Sequence, residues 1–165
     1  MSAEKIAIRP PVSEEELERA AKFLVRFYRV NEEFDPLYTM VDDPEPVARQ
    51  LIQRYAEEEN SVLLVAVSEG CVVGLIHGEV RHNPILRASP LGVMMELYVH
   101  PSYRRRGVAR RLIEEAAKKL REKGAKAIAA EFPHLNEIAV SFYRDLGFRP
   151  LTSVYIKELE EKVER

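Results

Sequence analysis

A chain of 165 residues, 46% apolar and 32% charged, is long enough to bury a real core and is too apolar to be disordered. No apolar run approaches the roughly 20 residues that cross a bilayer, and the opening Met1-Ser2-Ala3-Glu4-Lys5 lacks the basic start and apolar stretch of a secretory signal. A formal net charge of −2 argues against a protein that coats nucleic acid, and the lone Cys71 can form no internal disulfide, which fits a reducing cytoplasm.

Lys5 to Arg9 reads as a short strand stopped by Pro10-Pro11. Ser13-Glu14-Glu15-Glu16 is a capping box in which Ser13 and Glu16 can each satisfy a free amide. Leu17, Ala20, Ala21, Leu24 and Tyr28 then follow at helical spacing. A second helix starts at Asp43-Pro44, with Val47, Leu51, Ile52 and Tyr55 as its expected buried stripe. Val62 to Val67 is a β-branched apolar run, Glu69-Gly70 a turn, and Cys71 to Val80 a strand containing Gly74 and Gly78, so these read as a hairpin. Asn83 to Gly92 reads as a loop and Val93 to Val99 as a third long strand.

From Gly107 the period becomes helical, with Val108, Leu112, Ile113, Ala116 and Leu120 on one face and Glu114/Lys118 and Glu115/Lys119 as expected pairs on the other. Lys123-Gly124 stops that helix. Ala125 to Phe132 reads as a strand, Asn136 to Leu146 as a short helix, and Phe148 to Leu159 as containing a closing strand. With no repeat and no linker, the expectation is one α/β domain over residues 1–165, divided into 6–60 and 61–159.

The segment Met95 to Ala109 carries the chemistry. A strand ends at His100-Pro101, a tight turn holds Arg104-Arg105-Arg106-Gly107, and a helix begins at once. The first turn of a helix has free amides and the positive end of a dipole, so it can hold a phosphate. Gly107 lets backbone approach a ligand, Ala109 keeps the next turn small, and the arginines match a diphosphate. One compact basic spot in a slightly acidic chain suits a small polyanion better than a polymer. The patterns G-x-G-x-x-G and G-x-x-x-x-G-K-[ST] are absent.

What is present resembles the R-x-x-G-x-A signature of the GNAT superfamily of N-acetyltransferases, carried by Arg104, Gly107 and Ala109 and preceded by Val99-His100-Pro101. A second hallmark, N-x-x-A-x-x-F-Y-x-x-x-G-F, is matched by Asn136, Ala139, Phe142, Tyr143, Gly147 and Phe148. The resemblance covers about Cys71 to Tyr155 and implies a mixed, mostly antiparallel sheet flanked by about four helices. It implies acetyl-coenzyme A as co-substrate. Amides from Arg105 to Arg110, through Arg106, Gly107, Val108 and Ala109, would hold its pyrophosphate, and the Leu97 and Val99 backbones its pantetheine arm. Asn136 would touch the cofactor as well as cap a helix. Judged alone, Tyr143 is a packed tyrosine; the resemblance points it at the coenzyme sulfur.

Acetyl transfer needs a neutral amine, a stabilised oxyanion and a proton for the departing thiolate. Strand amides near Leu97 to Val99 could serve the oxyanion, and Tyr143 could be the general acid. Glu96, inside an apolar strand, is the candidate base, directly or through water, because a buried carboxylate needs a purpose or a partner. A solvent-facing or salt-bridged glutamate explains it equally well. Alternation places Glu96 with Met94 and Tyr98, opposite Leu97. Glu79 and Glu131 are weaker bases, His77 reads as a packed strand residue as readily as a ligand, and no metal is expected. In the connection from Asn31 to Asp43, acidic and aromatic residues could receive a cationic amine, although a solvated acidic loop accounts for them too. Small amines, polyamines, aminoglycosides, protein amino termini and lysine side chains all stay open as acceptors, as does a homodimer. A non-catalytic acetyl-coenzyme A sensor is the rival reading.

Overall fold

The computed structural model describes residues 5–160, so the opening Met1 to Glu4 lies outside the described residues. Five strands, β1 (Ile6–Arg9), β2 (Ser61–Ser68), β3 (Cys71–Arg81), β4 (Leu91–Val99) and β5 (Ala127–Ala130), neighbour one another in chain order. The first three junctions are antiparallel and β4 with β5 is parallel. Three helices pack on the sheet, α1 (Glu14–Asn31), α2 (Pro44–Glu57) and α3 (Val108–Glu122), and a fourth, α4 (Glu137–Asp145), joins the α3 side through Tyr143. This is the mixed, mostly antiparallel architecture expected from the sequence.

The position of each helix follows from its apolar stripe. On one face Phe23 and Leu24 of α1 and Ile52 of α2 pack on Leu63, Val65, Leu75 and Tyr98. On the other, Leu112, Ala116 and Leu120 of α3 pack on Leu64, Ile76 and Met94. Covered on both faces, β2 is buried at every position, which is why its sequence runs apolar without alternation. Each fully buried leucine or isoleucine contributes about 1.5–3 kcal/mol to that packing. The close fit of α3 depends on Gly78, where a Cβ would stand 2.9 Å from the Val93 carbonyl oxygen and 3.4 Å from Leu120.

The start of α1 is tied to the sheet edge. Ser13 Oγ accepts from the Glu16 amide at 3.2 Å, and the Glu16 carboxylate accepts from the Val12 amide at 3.0 Å. The same carboxylate takes two bonds from Arg9, at 2.7 and 2.8 Å, and the guanidinium holds its pKa below the usual carboxylate value.

Four expectations are corrected. In α2 the buried stripe is Ala48, Ile52 and Tyr55, while Val47 is exposed, because the phase set by Ile52 and Tyr55 brings Ala48 inward. On α3 the ion pairs formed are Arg110–Glu114 and Lys119–Glu122 rather than those read from the sequence. Phe148 to Leu159 forms no strand: residues 149–160 are exposed, and an extended segment without a neighbouring edge has no ladder to join. Finally, strict alternation fails in β4. Glu96 pairs with His77 and Met94 with Gly78, leaving Met95 as an extra residue in a β-bulge. Met94 therefore faces α3, whereas Glu96 and Tyr98 face α1 and α2.

Candidate active site

The bulge marks where β4 and β5 part. Their register runs from Leu91 with Ala127 to Met94 with Ala130, closed by the Glu131 amide donating to the Met94 oxygen at 2.9 Å. Beyond it, Leu97 to Val99 have no partner on β5, which leaves strand backbone for a ligand to pair with, next to half-buried Leu97.

Nine residues after Val99 the chain enters α3. His100 caps a short 3-10 turn, Pro101–Tyr103, by accepting from the Ser102 amide at 3.1 Å. Arg106 lays its guanidinium 5.3 Å from the Tyr103 ring centroid, and Arg104, though exposed, is tied back to the strand. Its Nε donates to the Val99 oxygen at 3.0 Å and its guanidinium lies 5.6 Å from the Tyr98 ring centroid, so it latches turn to strand. Arg105 and Gly107 have left-handed backbone, at φ 60° and 77°. Gly107 occupies the N-cap position of α3 and has no side chain to satisfy the first-turn amides. A Cβ on Gly107 would meet nothing within 4 Å. Open space therefore lies over an uncapped helix start carrying exposed Arg105, Arg106 and Arg110, and this combination fits a diphosphate. Val108 is buried, so only its backbone can take part, and Ala109 is half-buried.

Asn136 caps α4 by accepting from the Ala139 amide at 3.1 Å. Tyr143 on that helix is 7% exposed, stacked on Phe132 at 5.1 Å and flanked edge-on by Phe142 and Phe148. Burial pushes its pKa up to about 12, which keeps the phenol protonated.

Glu96 is 1% exposed and does not meet solvent. Its Oε1 accepts from the Tyr28 hydroxyl at 2.9 Å and the Tyr55 hydroxyl at 3.3 Å, and its Oε2 lies 2.6 Å from His77 Nδ1. His77 Nε2 in turn lies 2.9 Å from Ser61 Oγ. Burial, then the Glu96 charge, raise both phenol pKa values well above the ordinary tyrosine value. Half-buried Tyr28 also borders an apolar recess between α1 and α2 with Leu24, Met40 and Ala48. Glu79 and Glu131, the weaker base candidates, both pair with Arg81, at 2.8 and 2.6 Å. From the sequence alone Tyr28 and Tyr55 read only as helix stripe, and Ser61 does not stand out as a site residue. The available signal was a serine and a histidine inside otherwise apolar strands.

Residues 27–148 match the family described as Acetyltransferase (GNAT) family. The chain belongs to that family. Among relatives, this GNAT chain is 29% identical over 86 residues to the aminoglycoside N(6')-acetyltransferase type 1 of Salmonella typhimurium, covering 51% of the chain and 59% of that protein. It thus spans less than two thirds of that relative's length. The same-named protein of Stenotrophomonas maltophilia is 28% identical over 114 residues, 68% of this chain and 72% of its own. Of solved structures, the aminoglycoside N-acetyltransferase AAC(6')-Iy in complex with CoA superposes with a TM-score of 0.76 at 20% identity, covering 96% of this chain and 97% of that one, which shows a shared fold. Among the described residues of the GNAT chain, no helix is long and apolar enough to cross a membrane.

Proposed function

We propose that this protein transfers the acetyl group of acetyl-coenzyme A to a primary amine by direct attack in a ternary complex. The observation that carries the reading is the junction of two openings. The edge of β4 is released at the Met95 bulge, and the same strand leads into an uncapped helix start with open space over Gly107. Amides of residues 105–110 would hold the pyrophosphate, and the Leu97 and Val99 backbones the pantetheine arm. Asn136 would add a polar contact from the start of α4. Bound there, the co-substrate supplies an activated thioester.

The chain's own residues then move two protons. As the C–N bond forms and the C–S bond breaks, the amine proton passes to the Tyr28 oxygen while the Tyr28 hydroxyl proton moves to Glu96 Oε1. High pKa suits Tyr28 to this passage, because the phenol never has to persist as phenolate. Tyr143 protonates the departing sulfur, and amides near Leu97 to Val99 stabilise the oxyanion. After product leaves, Glu96 returns its proton to solvent through Tyr28, and Tyr143 regains one.

For the acceptor we propose a polycationic amine of the aminoglycoside class, in line with the names of the relatives. Exposed Glu33, Asp42 and Asp43 line the α1–α2 connection, and Glu158 and Ile156 border a recess there with Asp35 and Leu37. We propose further that the protein works in a reducing cytoplasm without nucleic acid, and that two copies associate through residues 149–160. In that segment Leu151, Val154, Tyr155 and Leu159 are 69–93% exposed, while β5 ends the sheet with a free outer edge.

The test is titration with acetyl-coenzyme A by calorimetry, followed by a panel of aminoglycosides, polyamines and peptides with free thiol as readout. Amine-dependent thiol release supports the reading. Binding with no release from any amine would favour a sensor, and absence of binding by folded protein would remove the site.

A further inference from the structure

Glu96 sits in a contact chain that the proton transfer above does not use. Its Oε2 faces His77 Nδ1 at 2.6 Å, just below the range of about 2.7–2.9 Å usual for charge-assisted N–H···O bonds. On the far side of the ring, Nε2 meets Ser61 Oγ at 2.9 Å. The ring lies flat on Tyr55, with centroids 3.5 Å apart and planes 7° from parallel. Both His77 and Glu96 are 1% exposed and Ser61 is 7% exposed.

Serine, histidine and carboxylate in this order suggest a nucleophile triad, but the surroundings exclude that use. Ser61 is buried on the side of the ring away from Glu96 and Tyr28, where a nucleophile would need an open site and oxyanion donors. The chain has a different effect. A neutral imidazole carries one N–H, and the bond made by one nitrogen decides the state of the other. When the Ser61 hydroxyl donates to Nε2, the proton must reside on Nδ1, aimed at Glu96. Tyr55 restrains the ring from turning over.

We infer that Ser61 and His77 are positioning residues for Glu96: together they fix the Nδ1–H tautomer, hold Oε2, and leave Oε1 on the Tyr28 side as the oxygen that takes the Tyr28 hydroxyl proton. This rests on the proposed role of Glu96 as base. The groups facing the pair are Tyr28 from α1, Tyr55 from α2 and Ser61 from β2, with Arg54 and Glu79 acting on Tyr55 from further away. None of them replaces the His77 donor at Oε2. Without it, one carboxylate oxygen is buried with no partner and the ionised form becomes harder to keep.

The experiment has two arms. In the first, protein with 15N-labelled histidine is examined by NMR; the His77 proton is expected on Nδ1, and a proton resident on Nε2 alone would overturn the inference. This arm needs no acceptor. In the second, kcat/KM is followed against pH with the amine that supports thiol release. His77→Leu is expected to move the acid limb to higher pH. Ser61→Ala should move it the same way by less, and His77→Gln, which keeps a side-chain N–H, should restore part of the shift. An acid limb for His77→Leu that superposes on the wild type refutes the inference. If His77→Leu does not fold, His77→Gln and the NMR arm still decide. Failure of the base itself is seen separately, as full activity in Glu96→Gln with the His77 tautomer of the wild type unchanged on Nδ1.

Discussion

Replacement of Gly107 by leucine separates the fold from the ligand site. At φ 77° a side chain is strained, but a Cβ there meets nothing within 4 Å, so the cost to folding is the left-handed backbone alone. That cost is about 1–2 kcal/mol. For a chain of this size each kcal/mol lowers Tm by about 2–4 °C, so the variant should melt about 2–8 °C below wild type. Binding should suffer far more, because the leucine fills the space over the first-turn amides of α3. Losing two charge-assisted amide–phosphate bonds, at about 1.5–3 kcal/mol each, removes about 3–6 kcal/mol. This corresponds to about a 10²- to 10⁴-fold weaker Kd. Thermal melting without ligand and calorimetry with coenzyme A measure the two effects on one preparation. A variant that melts within the stated range yet binds as tightly as wild type refutes the phosphate site. One that does not fold refutes the claim that Gly107 faces open space.

Three further outcomes are expected. Tyr143→Phe should slow turnover by about 10²-fold while coenzyme A affinity stays near that of wild type, and an unchanged kcat would remove Tyr143 as the acid. Glu16→Gln should cost about 1 kcal/mol near neutral pH, a modest figure because Arg9 is partly exposed. The folded-state pKa of Glu16 is depressed, so this stability is present above the unfolded value of about 4.3 and is lost as pH falls through the folded value. Urea melts of the two proteins should therefore converge at low pH; a constant gap would contradict the ion pair's role. Truncation after Arg149 should convert a dimer to a monomer in light scattering, and identical masses before and after would exclude association through the tail.

How far the sequence could be read depended on the range of the interactions. The turn from Val99 to Ala109 was legible because its parts are adjacent: a strand end, a glycine with positive φ and a helix start lie within a dozen residues. The Ser13–Glu16 cap was legible for the same reason. The surroundings of Glu96 were not. Tyr28, Tyr55 and His77 reach it from 68, 41 and 19 residues away, and no local pattern records that they converge. Two errors had a common cause, since strand periodicity says nothing about pairing. It missed the extra residue at Met95, and it promised a strand after Phe148 where the chain has no edge beside it.

The bulge also divides β4 into two halves of opposite phase. Before Met95 the even-numbered Met94 faces α3; after it, Glu96 and Tyr98 face α1 and α2. Deleting Met95 would straighten the ladder and keep Met94 opposite Gly78 and Glu96 opposite His77; pairing Met95 in register without the bulge would instead exchange the two faces from that point on, driving the carboxylate under α3 and Leu97 toward the tyrosines. A slip of register by one residue would thus scramble what substitutions at the same place could alter only one side chain at a time. On the proposed function, point substitutions would accordingly retune the positions facing the acceptor without re-aiming the backbone that leads into α3, so selectivity for the amine would be free to drift while the grip on the coenzyme is kept.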